Sequence, residues 1–163
     1  MAEPTFWRTE IWHPLSVHFP LSLLLIATII KLTTIWLRGE QQHFWQKVGS
    51  YALYAGCVTA WITIYTGDMA EGIVSRKLCD PTILKGHEND AFNLAYFFTG
   101  AAILNLSLSS KLIKVYQKPL QLLVVVLMLT GATYLIYAGH SGAKVVYQQA
   151  GGVNIPSSDC VEF

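Results

Sequence analysis

The sequence has little charge. Only 13% of its 163 residues are charged and 53% are hydrophobic, whereas a soluble domain usually carries about 25% charged residues. This deficit favours a membrane protein over a large soluble core. The net charge of +1 argues against nucleic acid as a partner, because no basic stripe is available to neutralise phosphates.

The chain also lacks the motifs of several enzyme and cofactor classes. Its three cysteines form no C-x-x-C pair and no C-x-x-C-H haem-attachment site. It contains neither H-E-x-x-H nor G-x-S-x-G. The N-terminus carries no basic n-region or small-residue cleavage site, so the first apolar segment is expected to stay in the mature protein. We predict no catalytic residues and favour an electron carrier or a subunit over a stand-alone enzyme.

Four apolar stretches are present, each close to the roughly 20 residues that one membrane crossing needs. They lie at about residues 15–37, 48–66, 91–108 and 120–139. Polar links separate them, and no internal repeat is evident. We predict an all-α polytopic membrane protein with a single domain, residues 1–163, built as a four-transmembrane-helix bundle.

Small residues predict where these helices approach one another closely. Ala52, Gly56 and Ala60 recur at four-residue spacing on the second span, which lets helix backbones pack tightly in lipid. Gly131 on the fourth span could serve likewise. Cys57 lies mid-span and is expected to be a small packing residue.

The distribution of basic residues predicts the orientation. Four spans place both termini and the polar 67–90 segment on one side, and the two short links on the other. The short-link side carries six Lys or Arg residues and one acid, Glu40, whereas the other side carries five bases and nine acids. Since basic residues in short loops stay inside, we predict that both termini face outward.

Two cysteines fall in polar segments on the predicted outer side, Cys79 and Cys160. Oxidising compartments permit disulfides, and a bond between them would tie the C-terminal tail to the 67–90 segment. We predict this disulfide. The alternative is a pair of unrelated free thiols.

Four of the five histidines fall at the outer ends of predicted spans. His13 and His18 lead into the first span, His87 leads into the third, and His140 follows the fourth, whereas His43 lies in an inner link. Imidazole is the commonest side-chain ligand for haem iron, zinc and copper. Three helices thus bring possible metal ligands to one level, although histidine is also an ordinary interfacial residue.

The local sequence limits how these histidines can cooperate. His13 and His18 would lie about 140° apart on a helix, so they cannot both bind one metal from a regular helix. A proline follows His13, which is therefore expected to precede the helix. Asn89 or Asp90 is a plausible N-cap, which would leave His87 on a loop. Four outer acids could be solvated or could fix an imidazole by a hydrogen bond: Asp68, Glu71, Glu88 and Asp90.

Three segments resemble a known family. "HPLSVHFPLSLLL", "GHEND" and "GHSGAKVVYQQAGGV" look like the bacterial four-helix membrane family called domain of unknown function 2231, whose members open with HP-x-x-VHFP and end with G-H-x-G-G. The resemblance covers nearly the whole chain, but Glu88 follows the middle histidine and Ala143 replaces a glycine. The matching positions are His13, Pro14, His18, Phe19, Pro20, His87, Gly139, His140 and Gly142.

The resemblance implies a membrane protein of electron-transport neighbourhoods. Together with the predicted orientation, we expect a multi-pass protein of the bacterial inner membrane with periplasmic termini. We expect it to bind haem b near the periplasmic face through His18, His87 and His140, with His13 as a fourth candidate, since such a haem needs two imidazoles and an apolar slot. Its partners would be the lipid bilayer and other membrane or periplasmic redox proteins. Two alternatives are a non-catalytic accessory subunit of a larger respiratory or photosynthetic complex, and a periplasm-facing zinc or copper site.

Overall fold

The computed structural model describes residues 7–109 and 117–153, and the regular elements in these ranges are all helical. This confirms the predicted all-α class. A short 3-10 turn, Ser75–Lys77, follows the third helix. The α-helices are α1 (Thr9–Ser16), α2 (His18–Thr33), α3 (Gly39–Val74), α4 (Pro81–Ser109) and α5 (Gln117–Tyr147).

Helices α1 and α2 are consecutive helices separated only by Val17. Pro20 has no N–H to donate to the carbonyl of Ser16, yet Val17 N donates to His13 O at 3.1 Å and Leu21 N donates to Val17 O at 3.3 Å. The chain therefore stays helical on both sides of the interruption. His13 lies inside α1, so the expectation that it precedes the helix is wrong.

Helix α4 begins ten residues before the predicted third span. Asp80 Oδ1 accepts hydrogen bonds from Thr82 N at 2.9 Å and from Thr82 Oγ1 at 2.6 Å, and Pro81 takes the first helical position, where a missing N–H has no cost. The predicted cap at Asn89 or Asp90 is wrong. His87 consequently lies within the helix rather than on a loop.

Three helical segments in the described ranges are long and apolar enough to cross a membrane: Thr9–Thr33, Pro81–Leu108 and Gln117–Tyr147. They contain most of the first, and all of the third and fourth, predicted spans. The predicted span 48–66 lies in α3, which is 36 residues long. Threonine, tyrosine and glycine lower the mean hydropathy of this stretch. A count of four spans remains a prediction.

Apolar side chains cover the outside of the bundle as well as its interior. Leu24, Leu53, Phe98 and Met128 are fully buried at 0% exposure. Large apolar residues such as Ile136 are nevertheless exposed, at 65%. An apolar outer surface of this kind suits contact with lipid chains, where apolar side chains incur no penalty.

The first half of the chain forms an antiparallel helical hairpin, α1–α3, called the first hairpin below. A Cβ atom added at Gly67 would lie 3.1 Å from His13 Nδ1, and one added at Gly56 would lie 2.5 Å from Leu24 Cδ2. Gly56 thus packs closely, as the small-residue spacing predicts. His13 and Leu24 are eleven residues apart, as are Gly56 and Gly67.

The second half, α4–α5, repeats this arrangement and is called the second hairpin. A Cβ atom at Gly142 would lie 3.0 Å from His87 Cε1, and one at Gly131 would lie 2.8 Å from the Phe98 ring. The spacing is again eleven residues on each helix. The structure therefore contains an internal repeat that the sequence alone does not make evident.

Two contacts define the axis that relates the hairpins. His13 meets His87 at one end of the bundle, with ring centroids 6.0 Å apart. Lys31 Nζ donates to Asn105 Oδ1 at 2.7 Å at the other end. Both contacts join residues that are 74 positions apart in the sequence. The first helical segments of the two hairpins, α1–α2 and α4, therefore run parallel, and the axis lies along the bundle. We call these the histidine end and the lysine end.

Candidate functional site

The histidine end brings together two imidazoles from different hairpins. The rings of His13 on α1 and His87 on α4 meet edge to face, with an interplanar angle of 79°. Both side chains are half-buried. The pair lies on the axis that relates the two hairpins, so each hairpin contributes one ring at an equivalent position.

Helix α3 fixes the imidazole of His13. Nδ1 of His13 lies 3.0 Å from the carbonyl oxygen of Thr63. A carbonyl can only accept, so Nδ1 carries the proton and Nε2 keeps its lone pair. The ring reaches this carbonyl because Gly67, one turn further along α3, has no side chain in the way.

Helix α5 fixes the imidazole of His87 in the same manner. Its Nδ1 lies 3.0 Å from the carbonyl oxygen of Ala138, and Gly142 provides the space. The hydroxyl of Ser141 lies 3.5 Å from the same nitrogen and donates to Asp90 Oδ2 at 2.9 Å. Asp90 therefore reaches the imidazole only through Ser141, while backbone carbonyls orient both rings.

This arrangement has the chemistry of a pair of metal ligands. Histidines that bind metals usually donate their other ring N–H to a carbonyl or carboxylate, which fixes the tautomer and raises the basicity of the ligating nitrogen. The ring centroids of His13 and His87 are 6.0 Å apart, so both imidazoles would be near a metal centre placed at this end of the bundle.

The other two predicted ligands lie outside this pair. His18 and His140 are both exposed, as is His43. Within residues 7–109 and 117–153, no group of three or more His, Cys, Asp or Glu side chains could hold a metal ion. The structure thus brings His13 and His87 together and leaves His18 and His140 apart from them.

The donor set discriminates between kinds of metal centre. A bare zinc ion normally takes at least three protein ligands, and only two imidazoles meet here. A b-type haem needs two imidazoles from the protein, so by number of donors alone His13 and His87 could hold one. A porphyrin also needs an apolar slot. Two cavities among the described residues, of about 290 and 310 Å³, are not lined by a histidine.

Two acids from different hairpins meet beside the histidine end. Interaction with the Glu88 carboxyl, through hydrogen bonding and charge repulsion together with partial burial, raises the pKa of Glu71 above its ordinary value. Glu88 also accepts from Lys85 Nζ at 2.6 Å. These three side chains line the cavity of about 310 Å³. No imidazole lines this cavity, and the hydrogen bonds that orient the His13 and His87 rings go to the carbonyls of Thr63 and Ala138.

The lysine end holds a buried cation within a polar network. Lys31 is 4% exposed, and its ammonium group donates to Gln46 Oε1 at 2.9 Å, to Ser50 Oγ at 2.8 Å and to Asn105 Oδ1 at 2.7 Å. Asn105 Nδ2 donates onward to Tyr54 OH at 2.7 Å. The sequence does not reveal these partners, because they lie on two other helices, α3 and α4.

The cysteines divide between the core and the surface. Cys57 is buried among the residues of the core, which confirms its expected packing role. Cys79 is exposed, and Cys160 lies outside the described residues. The disulfide between Cys79 and Cys160 remains a prediction.

Comparison with known proteins gives a family for the chain. A family model described as a predicted membrane protein, DUF2231, matches residues 11–154. The chain belongs to this family. No curated protein and no solved structure matches it. The match confirms the resemblance drawn from the sequence motifs and establishes a membrane protein, and the family description names no activity.

Proposed function

We propose that this DUF2231 protein is a membrane electron-transfer protein that holds a b-type haem at the histidine end, with His13 and His87 as the two axial ligands. The observation that carries the proposal is that each imidazole is fixed through Nδ1 by a helix carbonyl, at 3.0 Å in both cases. Each Nε2 atom then keeps a lone pair with which it could bind a metal. This choice narrows the four histidines expected from the sequence to two.

Each part of the arrangement has a role in holding the cofactor. The carbonyls of Thr63 and Ala138 orient the rings and hold the Nδ1 protons, so the ligating tautomer exists before the metal binds. Gly67 and Gly142 let the rings approach the helices that carry those carbonyls. When bound, the haem iron would accept and release one electron. Binding through both imidazoles would suit electron transfer rather than substrate binding.

The first test is a visible spectrum of the detergent-purified protein, expressed with ample haem, in its oxidised and dithionite-reduced forms, together with a pyridine haemochrome assay. We expect a reduced α-band of b type. The variants His13→Ala and His87→Ala should each lose it, because one axial ligand is removed. The matched controls His18→Ala, His140→Ala and His43→Ala should keep it, because those imidazoles are exposed.

Two outcomes would contradict the proposal. Loss of the band in His18→Ala or His140→Ala, with retention in His13→Ala, would move the ligands to the exposed histidines. A folded, colourless protein would exclude haem, and metal analysis of the same sample would then separate a zinc or copper site from an accessory-subunit role. Thermal melting of each variant shows whether a lost band reflects lost ligation or lost structure.

We also propose that all four helical segments cross the membrane and that the histidine end faces outward. In the sequence, six of the eleven Lys and Arg residues belong to the short-link side, and basic residues in short links favour an inner location by the positive-inside rule. Cys79 is exposed near the histidine end, and its thiol reports on this orientation. In a Cys160→Ser variant, a membrane-impermeant maleimide added to intact spheroplasts should label Cys79. Labelling only after the membrane is opened would reverse the orientation.

A further inference from the structure

A cavity of about 290 Å³ opens beside Lys31 at the lysine end. Its polar wall consists of Lys31, Gln42, Gln46, Asn105 and Gln121, and Lys118 also lines it. The volume is near the lower limit for small-ligand sites. This cavity lies at the opposite end of the axis from the imidazoles, so it is separate from the proposed haem site.

The charges around this cavity are not balanced. The three acceptors of the Lys31 ammonium are neutral oxygens, and no carboxylate forms an ion pair with it within residues 7–109 and 117–153. A buried charge without a counter-ion is costly, because low-dielectric surroundings solvate it poorly. Lys118 adds a second positive charge. An anion in the cavity would offset both.

The depth of the cavity corresponds to the headgroup region of a bilayer. Lys31 lies two residues before the end of α2. Trp36 and Phe44, at the same end, are exposed at 71% and 60%, and exposed aromatic rings mark the membrane interface. Lys31 is therefore near the level at which lipid phosphates lie.

One wall of the cavity is apolar and continues onto the outer surface. Ile35 and Leu122 line the cavity and are also exposed, at 51% and 59%. A ligand with an anionic head and an acyl chain could place the head between the two lysines and the chain along these side chains. Basic pockets between membrane helices bind anionic lipid headgroups in this way.

We propose that the cavity between Lys31 and Lys118 binds a phosphate-type anion, which in the membrane is the headgroup of an anionic phospholipid. The ammonium of Lys31, whose three N–H groups already donate to neutral oxygens, supplies the buried positive charge. The side-chain amides of Gln42, Gln46 and Gln121 line the cavity. Lys118 closes the outer side of the site. Each hairpin contributes one lysine to the site, Lys31 from the first and Lys118 from the second.

The test measures the melting temperature of the full chain in neutral detergent with added phosphatidylglycerol, phosphatidylcholine or inorganic phosphate. We expect phosphatidylglycerol to raise Tm by about 3 °C or more at saturation, and phosphatidylcholine to raise it much less. Lys31→Met should abolish the difference between the two lipids. Lys118→Gln should weaken apparent affinity for phosphatidylglycerol about fivefold.

The matched control is Lys47→Gln, which removes an exposed lysine at the same end that does not line the cavity. This variant should keep the full lipid effect. Equal stabilisation by both lipids, or an undiminished difference in Lys31→Met and Lys118→Gln, would overturn the proposal. A Lys31-dependent shift with inorganic phosphate alone would keep the anion site and assign it to the free ion. If Lys31→Met does not fold, Lys118→Gln against Lys47→Gln still decides.

Discussion

The two hairpins are alike at the histidine end and different at the lysine end. Each has a histidine whose Nδ1 bonds a helix carbonyl at 3.0 Å. At the other end, the position that is Lys31 in the first hairpin is Asn105 in the second, and the two side chains bond each other. Two imidazoles at equivalent positions could both bind one metal. Two cations at equivalent positions would repel each other, so one of the two residues at the lysine end is neutral.

The largest effect is expected from making the lysine end symmetric. Asn105→Lys would place two ammonium groups against each other in a buried site, which should lower the free energy of unfolding by about 3 kcal/mol or more. Thermal or denaturant unfolding in detergent measures this change. Asn105→Ala, which also removes the hydrogen bonds of Asn105 but adds no charge, separates repulsion from the loss of those bonds.

Exchanging the two residues tests the axis itself. The double variant Lys31→Asn/Asn105→Lys moves the cation from the first hairpin to the second. If the positions are equivalent, the double variant should be clearly more stable than Asn105→Lys alone, because one cation again faces one amide. A double variant no more stable than the single one would show that the two positions are not interchangeable.

A smaller effect is expected where each hairpin packs a side chain against a glycine. Gly131→Ala would place a methyl group 2.8 Å from the Phe98 ring, and such overpacking typically costs about 1–3 kcal/mol. Gly139→Ala on the same helix meets nothing within 4 Å, so it should be neutral or stabilising. Differential melting of the two variants measures the contrast.

The same contact can be relieved by removing the ring, but not by the leucine of the first hairpin, because Leu24 Cδ2 lies only 2.5 Å from a Cβ atom added at Gly56. Adding Phe98→Ala to Gly131→Ala removes the ring atoms near the new methyl group. The double variant should therefore lose less stability than the two single changes added together. Strict additivity would mean that the ring and the glycine do not contact each other as described.

Sequence reasoning predicted the class of this protein better than its site. Family motifs and four apolar stretches indicated a helical membrane protein, and the small-residue spacing predicted that Gly56 packs closely. The internal repeat was missed because its hairpins share few identities: "ATIIKLT" at 27–33 and "AAILNLS" at 101–107 align at three residues. The repeated features are contacts between helices, which only the fold reveals.

The choice of histidines could not be predicted because it depends on helix register. Asp80 and Pro81 start α4 early, which makes His87 helical and sets the direction of its ring. Position alone favoured His140, which lies at the same end but is exposed. The five-residue spacing predicted that His13 and His18 would not bind one metal together; in the structure His13 bonds the Thr63 carbonyl and His18 is exposed. Gly67 and Gly142 make room for the rings of His13 and His87, and only the fold brings each ring to its glycine.

The smallest effect is expected from an acidic contact that has no equivalent in the repeat. The positions corresponding to Glu88 and Glu71 are Pro14 and Val146, so the acids meet only once. Interaction with Glu88 and partial burial raise the pKa of Glu71. In the window above the ordinary glutamate pKa, the folded state thus holds a proton that the unfolded state has released. Stability should fall as pH rises through that window.

Glu71→Gln should flatten this part of the pH–stability curve and raise Tm at neutral pH, because glutamine adds no charge beside Glu88. Melting in one detergent from about pH 4 to about pH 7 measures it. Asp80→Asn tests a pH dependence of the opposite sign. The hydrogen bonds from Thr82 lower the pKa of Asp80, so the stability that Asp80 contributes is present at neutral pH and is lost in acid. Parallel pH–stability curves for wild type and Glu71→Gln would show that the Glu71–Glu88 contact does not affect stability.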